Sequence, residues 1–539
     1  MFRRLCFGFF ALSAAIRAED PFEPEDFDIT GALLNRGIDV DTIPDLHNLK
    51  GDISQQLPQC RALDQIYGTD QLLQSNNQEF VAFTNGYWSK QQSDTQPACV
   101  FRPDDADAVS VVILISRLTT CPFAVKSGGH AAFVGGSNIP GGITVDFSRM
   151  QEIELSADKK IASVQPGNTW RRTYSELAKD DVTVIGGRVE RIGVGGLTTG
   201  GGISFFSPLR GWAIDNVASY EVVTASGRIV EASPAANSDL YWALRGGGPN
   251  FGIVTRFNYE AYPLPNNELW GGTKRFLEPA FPDVITAYHN FVANAPSDPN
   301  AGGWCAWIVY NGTRIVGQEL YYARPDGNNA SIFNEFNAIE PVIGDSTENR
   351  NLVDYTISQQ STQPYGLREL FSVITIKLDH ELLTFAKDIF FDKIGPAAAA
   401  EGCLPVLVFQ AITLPILEKM KKNGGNPLGL TVDEGPYVTV QISVWWIKPE
   451  DDDLIYRSAS DILEAISLVS KSRGKHASYV YMNYAAPFQD VIASYGAENK
   501  QKLMKIASKY DPKRVFQELQ PGYFKLDRAA VPDSPYFRF

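Results

Sequence analysis

The sequence predicts an α+β protein of two domains, and three observations support this expectation. The chain has 539 residues, which is enough for two or three domains with large cores. Between Cys60 and about Pro263, short apolar strands alternate with glycine clusters and helical stretches. Beyond Leu264 the glycine clusters thin out, and Tyr437 to Ile447 alternates apolar with polar or aromatic residues at the period of a strand.

The elements follow one another in a regular order. Residues 19–58 form an acidic leader with some helix, to which we assign no chemistry. The predicted strands of the first domain are 122–125, 142–146, 161–164, 219–223 and 252–255. The predicted helices are 105–118, 169–179 and 499–510, and the last segment is also expected to contain a strand near Tyr479.

Composition excludes several classes of protein. Lys and Arg number 48 against 62 Asp and Glu, and the net charge of −14 repels nucleic acid and anionic membrane. Hydrophobic residues make up 44%, with Gly and Pro dispersed, so the chain is not fibrous or of low complexity. We expect a monomer or weak dimer that binds neither nucleic acid nor membrane, and we predict no metal site.

The first residues have the order of a secretory signal. Arg3 and Arg4 precede an apolar run from Leu5 to Ile16, and small and then acidic residues follow. The run is too short to span a bilayer. We therefore expect a secreted protein whose signal peptide is residues 1–18.

Cysteines and sequons fit that destination. Cys6 would leave with the signal peptide, so that five of the six cysteines remain, an odd number in an oxidising compartment. At least one thiol is then unpaired within the chain. The sequons at Asn311 and Asn329 are predicted glycosylation sites.

The most informative stretch is Lys126-Ser127-Gly128-Gly129-His130, directly after a predicted strand. Successive glycines allow positive φ angles and turn backbone N–H groups inward, which forms an anion nest suited to a pyrophosphate. A single glycine cluster is more typical of a tight turn than of a ligand site. The sequence contains three such clusters in one order, which favours a shared ligand.

The second and third clusters are residues 193–202 and 239–255. No cluster is followed by Gly-Lys-Ser/Thr, and none has the Gly-x-Gly-x-x-Gly spacing with an acidic residue about 20 positions later. ATP and a Rossmann-bound nicotinamide are therefore disfavoured as ligands.

The combined motifs resemble the FAD-linked oxidases of the vanillyl-alcohol-oxidase type, in particular their berberine-bridge-enzyme-like branch. The resemblance rests on the Ser-Gly-Gly-His turn, the glycine-rich loop, the Leu-Arg-Gly-Gly-Gly-x-Asn-Phe-Gly run and Tyr481-Met482-Asn483-Tyr484 near the C-terminus. It implies a two-domain PCMH-type FAD-binding fold whose substrate domain is an antiparallel sheet backed by helices. The implied segments are an FAD-binding domain (59–264), a substrate-binding domain (265–478) and a C-terminal segment (479–539) that returns to the FAD domain.

The resemblance assigns residues to the cofactor. In the family, the histidine of the turn bonds to the flavin 8α-methyl, and His130 occupies that place. A second tether, a cysteine in many relatives, is replaced here by Val189, so FAD is expected to be covalent through His130 only. The implied cofactor-binding residues are Lys126, Ser127, Gly128, Gly129, His130, Gly195, Gly196, Thr199, Gly200, Gly201, Gly202, Gly252, Ile253, Val254 and Asn483.

The resemblance also implies a disulfide between Cys60 and Cys121, which would clamp an early helix to the strand that enters the His130 turn. Cys99 is then expected to be free.

The resemblance implies that Tyr481 is the leading candidate for the catalytic base, with Gln441 as its neighbour. A tyrosine with a pKa near 10 is a poor base unless a cation or a hydrogen bond lowers that pKa. Thr439 stands where some relatives have a lysine that does this, so Asp433 or Glu434 is an alternative base.

Other residues are expected to contribute less directly. Asn483 is expected near the flavin, whereas Tyr484 packs. Thr198 lies where relatives have a residue that controls oxygen access. Trp445 and Trp446 alternate faces of one strand, so only one of the two lines a cavity easily.

The expected function is oxidation of a small alcohol, amine or activated C–H by hydride transfer to flavin N5, with O₂ reduced to H₂O₂. Secondary metabolism is a plausible setting. The alternatives are an oligosaccharide oxidase, an oxidative cyclase and, least favoured, a binding protein without redox chemistry.

Overall fold

The structure is a computed structural model that describes residues 22–47, 58–75 and 77–536. The predicted signal peptide lies outside these residues, as does part of the predicted leader. The described chain forms three β-sheets, which follow one another along the sequence. None of the described helices combines the length and the apolar content that crossing a bilayer requires.

The first sheet has four strands in the order β1-β2-β4-β3, and it contains the parallel pairs β2/β4 and β3/β4. Its strands are β1 (Leu72–Leu73), β2 (Cys99–Phe101), β3 (Phe123–Lys126) and β4 (Ile143–Asp146). The Ser-Gly-Gly-His turn begins where β3 ends, so the pairing of β3 fixes the start of that turn.

The second sheet is antiparallel, with the order β5-β6-β10-β8-β9 and β7 paired to the end of β10. Its strands are β5 (Ile153–Leu155), β6 (Ile161–Val164), β7 (Val182–Val184), β8 (Val217–Val223), β9 (Ile229–Ala232) and β10 (Ile253–Pro263). The third glycine cluster leads directly into β10, the central strand of this sheet.

The third sheet has nine antiparallel strands in the order β14-β11-β13-β12-β17-β18-β16-β19, with β15 paired to β11. Its strands are β11 (Glu268–Leu277), β12 (Ala301–Tyr310), β13 (Thr313–Tyr322), β14 (Gly344–Asp345), β15 (Glu348–Asn351), β16 (Arg368–Lys377), β17 (Leu404–Ile412), β18 (Tyr437–Trp446) and β19 (His476–Ala477).

Twenty α-helices surround the sheets within the described residues. The first ten are α1 (Ile29–Leu34), α2 (Pro44–His47), α3 (Pro58–Tyr67), α4 (Gln78–Asn85), α5 (Lys90–Ser93), α6 (Ala106–Thr119), α7 (Trp170–Leu177), α8 (Val194–Thr199), α9 (Ser207–Arg210) and α10 (Ser238–Leu244). The others are α11 (Phe281–Asn294), α12 (Asn334–Asn337), α13 (Leu352–Gln359), α14 (His380–Lys393), α15 (Gly395–Ala398), α16 (Leu414–Met420), α17 (Asp452–Ser472), α18 (Val491–Ser494), α19 (Ala497–Tyr510) and α20 (Val515–Glu518).

The helices α11, α14 and α17 pack on one face of the third sheet. On β18 the apolar residues at alternate positions, Val438, Val440, Ile442 and Val444, are buried in one core with side chains of these helices. Because strand side chains alternate in direction, Thr439, Gln441, Ser443 and Trp445 point to the opposite face. The predicted fold class, with an antiparallel sheet backed by helices, is confirmed.

Segments near both ends of the described chain pack against the first sheet and its helix α6. Glu23 of the leader is buried in an ion pair with Arg117, with 2.7 Å between Oε1 and Nη2. At the other end of the chain, the N–H of Phe123 donates to the carbonyl of Leu519 at 2.7 Å. Both terminal segments thus contact the part of the chain that precedes the His130 turn.

The strand expected in the segment that begins at Tyr479 is wrong for its described residues, 479–536, since the nearest strand, β19, ends at Ala477. Residues Met482–Tyr484 form a 3₁₀ turn, in which the N–H of Tyr484 donates to the carbonyl of Tyr481 at 2.9 Å. The N–H of Val480 donates to the Oγ of Ser494 rather than to a neighbouring strand. These local hydrogen bonds take the place of the hydrogen bonds to a neighbouring strand that a β-strand would form. The helix expected at 499–510 is confirmed as α19, which begins two residues earlier.

The expected disulfide is also wrong in its pairing. Cys60 on α3 bonds to Cys99 at the start of β2, with 6.1 Å between their Cα atoms, and Cys121 is a buried free thiol. The Sγ of Cys121 lies 3.4 Å from the carbonyl oxygen of Pro122, and burial raises the pKa of this thiol to about 11. The bond therefore joins α3 to the first sheet through β2 rather than through β3.

The disulfide closes a loop whose ends are separated by 39 residues, and cross-links of this size are worth about 2–4 kcal/mol in the free energy of unfolding. We expect a reductant to lower the denaturation midpoint of the wild type and of Cys121→Ala. The same reductant should leave the midpoint of Cys99→Ala unchanged. A response confined to proteins that retain Cys121 would contradict the observed pairing.

Candidate functional site

A cavity of about 540 Å³ lies between the glycine-rich segments and the third sheet. Glycines and His130 form one wall, and side chains of β12, β17 and β18 form the opposite wall. The turn around Tyr481 and the C-terminal residues Gln520 and Tyr523 complete the lining.

The glycine wall depends on a close backbone contact between two loops. A Cβ atom on Gly128 would lie 2.2 Å from the N atom of Gly193, and a Cβ on Gly193 would lie 2.1 Å from the N atom of Gly128. Ser127 strengthens the contact, since its Oγ donates to the carbonyl of Pro166 at 2.5 Å and accepts from the N–H of Gly195 at 3.1 Å. Only glycine fits at both contact positions.

Most of the predicted cofactor-binding residues line the cavity. These are Ser127, Gly128, Gly129, His130, Gly195, Gly196, Thr199, Gly252, Ile253, Val254 and Asn483. The others lie behind the wall. Lys126 forms an ion pair with Asp146, and Gly200, Gly201 and Gly202 pack beneath the side chains of the Tyr481 turn and its neighbours.

His130 is held between aromatic rings. Its ring is stacked on Trp88, with centroids 3.9 Å apart and planes 9° apart, and it meets the edge of Tyr365 at 6.3 Å. Burial lowers the pKa of His130 to about 3, and the nearby positive charge of Arg191 acts in the same direction. The imidazole is therefore neutral at physiological pH, and its buried Nε2 has no hydrogen-bond partner among the described residues.

The second tether position is apolar. Val189 lines the cavity and carries no nucleophile.

Tyr481 is the centre of a hydrogen-bonded cluster. Its Oη accepts from the N–H groups of Gly202 and Ile203 at 3.0 and 3.3 Å, and from the Nδ2 of Asn483 at 3.0 Å. The same Asn483 amide donates to the carbonyl of Leu197 at 2.9 Å. Burial raises the pKa of Tyr481, which these donors lower only in part. At neutral pH the residue is a phenol.

The opposite wall is built in rows by the register of the third sheet. Two rows are apolar where β12 meets β17. In the first row Ala306 pairs with Val408, which pairs in turn with Gln441 of β18. In the second row Ile308 pairs with Val406, which pairs in turn with Ser443 of β18. Another row is polar. In this row Trp304 of β12 pairs with Gln410 of β17 on one side and with Glu319 of β13 on the other. Trp445 lines the cavity, whereas Trp446 faces away and donates to Asp452, as the alternation of the strand predicts.

Arg188 is a lining residue that sequence reasoning missed. Its Nη2 donates to the Oε1 of Gln410 at 3.0 Å and to the Oη of Tyr484 at 2.8 Å, and its guanidinium lies 4.3 Å from the centroid of the Trp304 ring. No short motif marks Gln410 or Trp304, because strand pairing between distant segments brings them to Arg188. The one feature of the sequence that could have indicated Arg188 is the position of a positively charged residue directly after Gly186 and Gly187.

Several other expected residues lie outside the cavity wall. Asp433 and Glu434 are exposed, and Glu434 pairs with Lys377. Thr439 is buried and donates to the carbonyl of Gln410, while Thr198 is bonded to the hydroxyl of Tyr259 at 2.6 Å. The structure therefore does not bring a carboxylate of the 433–434 pair to Tyr481.

The lining fits FAD. The glycine wall leaves room where side chains would otherwise project, and Gly129 and Gly248 have φ angles of +70° and +66°. Such turns present N–H groups to a pyrophosphate. The unpartnered Nε2 of His130 is a buried polar atom of the kind that a ligand satisfies.

Comparisons with known protein families identify two segments. The FAD binding domain family matches residues 97–233. The family described as "Berberine and berberine like" matches residues 480–521, which contain the Tyr481 turn.

Curated fungal proteins are similar over most of the chain. The FAD-dependent monooxygenase tpcD of Cochliobolus heterostrophus is 36% identical over 462 residues, which cover 82% of this chain and 87% of that protein. The bifunctional solanapyrone synthase of Alternaria solani is 33% identical over 471 residues, which cover 84% of this chain and 88% of that protein.

Solved structures share the fold at lower identity. The xylooligosaccharide oxidase of Myceliophthora thermophila in complex with xylobiose has a TM-score of 0.69 and 19% identity, with 92% of this chain and 99% of that chain covered. A variant of berberine bridge enzyme in complex with (S)-reticuline has a TM-score of 0.68 and 16% identity, with 85% and 97% covered.

The loop contact yields a test of the glycine wall. Gly128→Ala places a Cβ against the backbone of Gly193, and overpacking of this kind costs about 1–3 kcal/mol. We expect the flavin content of the purified protein to fall sharply. Gly395→Ala is the matched control, since its Cβ meets nothing within 4 Å. Full flavin content in Gly128→Ala would show that the loops can separate without loss of the site.

Proposed function

The chain belongs to the berberine-bridge-enzyme-like family of FAD-linked oxidoreductases, and from this premise we propose that it oxidises a small lipophilic metabolite and transfers the electrons to O₂. The observation that carries this proposal is the cavity, in which a glycine wall with His130 faces an apolar sheet surface. Oxidation of a secondary metabolite is the setting that the names of its fungal relatives support.

The apolar rows favour a lipophilic substrate over an oligosaccharide. Ala306, Ile308, Val406 and Val408 present aliphatic groups to the cavity, and such groups leave sugar hydroxyls without hydrogen-bond partners. The polar side chains Gln441 and Ser443 provide a few fixed hydrogen bonds on this surface, a number that suits a ligand with few polar atoms.

FAD would supply two-electron redox chemistry here, with O₂ as the electron acceptor and H₂O₂ as its product. The residues around FAD would bind the cofactor and orient the substrate. We propose His130 as the single covalent attachment point, because its imidazole is neutral and no thiol is present at Val189. The backbone N–H groups of the glycine loops, held in place by Ser127, would bind the phosphates of FAD.

Tyr481 is the residue we assign to proton transfer. Its Oη meets three N–H donors, which stabilise negative charge on the oxygen once the proton has left. Before proton transfer the neutral phenol is favoured, because burial raises the pKa of Tyr481. Proton removal from the substrate then becomes easier as the pH rises, and Gln441 is positioned in the same cavity to orient the substrate.

Secretion is supported by the disulfide and by the position of the sequons. Asn311 lies in the turn between β12 and β13, and Asn329 lies in a 3₁₀ turn; both are exposed. We propose that both carry glycans in the secreted protein.

Ring closure coupled to oxidation is a second candidate function. The observation in its favour is the similarity to the Alternaria relative, whose name describes a synthase. Both candidate reactions remove two hydrogens from the substrate in the oxidation step. A cyclic product would therefore be recognised by its structure in NMR spectra.

His130 provides a direct test of the cofactor linkage. We expect acid-precipitated wild-type protein to retain yellow flavin in the pellet. In His130→Ala the flavin should move to the supernatant, because the ring nitrogen that forms the proposed bond is gone. Val189→Ala is the matched control and should retain the flavin. Flavin in the wild-type supernatant would disprove the covalent link while leaving FAD binding intact.

Tyr481 provides a test of the mechanism. Since its pKa is raised, the phenolate fraction is small at neutral pH, and the rate of flavin reduction by substrate should increase as the pH rises. Tyr481→Phe should lose this rise and slow the reduction by about 10²- to 10⁴-fold. The measurement is anaerobic flavin bleaching across alkaline pH, followed by H₂O₂ release in air.

Two results would contradict these assignments. A Tyr481→Phe variant with the wild-type pH profile would show that another group accepts the proton. Product that gains an oxygen atom, with no H₂O₂ released, would replace the oxidase proposal with a monooxygenase reaction like that in the names of several relatives.

A further inference from the structure

Arg188 is a cation on the cavity wall whose hydrogen-bond partners are neutral. Its Nη2 donates to the amide oxygen of Gln410 and to the hydroxyl of Tyr484, and its flat face covers Trp304. Arg188 precedes the second glycine loop in the sequence. Its guanidinium therefore lies between the glycine wall and the opposite wall formed by the third sheet.

The nearby carboxylates are engaged by other residues. Glu319 accepts hydrogen bonds from Tyr355 at 2.5 Å and from Gln359 at 3.0 Å. Burial raises the pKa of Glu319, and the positive charges of Arg350 and Arg188 act against this shift. Glu190, two residues along the chain, pairs with Arg171 at 3.0 Å.

The guanidinium therefore keeps unused binding capacity. Its Nη1 is buried and has no hydrogen-bond partner among the described residues. The hydrogen bonds described for Arg188 go to neutral groups, and an arriving anionic oxygen would add a charge-assisted hydrogen bond to this partly buried cation. The planar donor fork of arginine also suits carboxylates and other delocalised oxygen anions.

The surface next to Arg188 is apolar. Ala306 and Val408 lie one row beyond Trp304 and Gln410 on the same face of the sheet. A ligand that contacts both features has a lipophilic body and one acidic oxygen.

We propose that Arg188 is a specificity-determining residue that binds an ionised oxygen of the substrate, and that the substrates are lipophilic molecules carrying a phenolate, enolate or carboxylate. This inference deepens the proposed function and rests on it for the location of the substrate. Gln410 and Tyr484 are positioning residues, since they act on the ligand by holding the guanidinium.

Binding of simple probes to the holoenzyme tests the inference without turnover. 4-Nitrophenolate is compared with the neutral 4-nitroanisole, and benzoate with benzyl alcohol, by isothermal titration calorimetry. We expect each anion to bind about tenfold or more tightly than its neutral partner, as a charge-assisted bond provides. Preference among the two anions then separates a phenolate or enolate substrate from a carboxylate.

Three variants make the test specific. Arg188→Gln should abolish the preference for anions while leaving the affinity for 4-nitroanisole unchanged. Arg188→Lys should retain part of the preference, because the charge remains but the planar fork is lost. Arg172→Gln, which removes an exposed arginine of α7, should behave as wild type.

Two outcomes would overturn the inference. The first is an equal preference for anions in the wild type and in Arg188→Gln. The second is an equal loss of affinity for charged and neutral probes in Arg188→Gln, accompanied by a lower melting temperature, which would assign Arg188 a structural role. A holoenzyme that prefers anions through Arg188 but releases no H₂O₂ in substrate screens would remove the proposed function alone.

Discussion

The backbone contact between Gly128 and Gly193 is the constraint on which the rest of the site depends. Two loops separated by 65 positions meet where each would otherwise carry a Cβ, within 2.2 Å of the other backbone. Because the loops cannot separate without losing the bonds of Ser127, the residues that follow each glycine are fixed as well. On one side this places His130 against Trp88, and on the other it starts α8 at the cavity wall.

A second fixed point explains the third glycine motif. Arg245 is fully buried, with its Nη2 3.2 Å from a carboxylate oxygen of Asp215. It also donates to the carbonyls of Lys422 and Gly425 in the segment that follows α16. Burial raises the pKa of Asp215 to about 6, although the charge of Arg245 opposes this effect. Arg245 thus links the glycine turn to the segment between α16 and strand β18 of the third sheet. It does not line the cavity.

The difference between what could and could not be predicted follows from the range of the interactions. The turn after β3 and the period-two pattern of β18 are local, so residues 126–130 and 437–447 were sufficient to predict them. The Cys60–Cys99 bond was missed because it depends on how α3 packs against β2, while the family resemblance suggested Cys121. The cluster around the Tyr481 hydroxyl was missed because its bonds from Gly202 and Ile203 cross 279 and 278 positions.

The same distinction separates the cofactor half of the site from the substrate half. Glycine clusters bind a phosphate-containing cofactor with backbone groups, so their signature is short and readable in sequence. The opposite wall is a set of rows across β12, β17 and β18, where Trp304 meets Gln410 only through strand pairing. A shift of one residue in that register would turn every one of these side chains to the helix-backed face. Arg188 is connected to both halves, because a local glycine loop sets its position and long-range pairing supplies its partners.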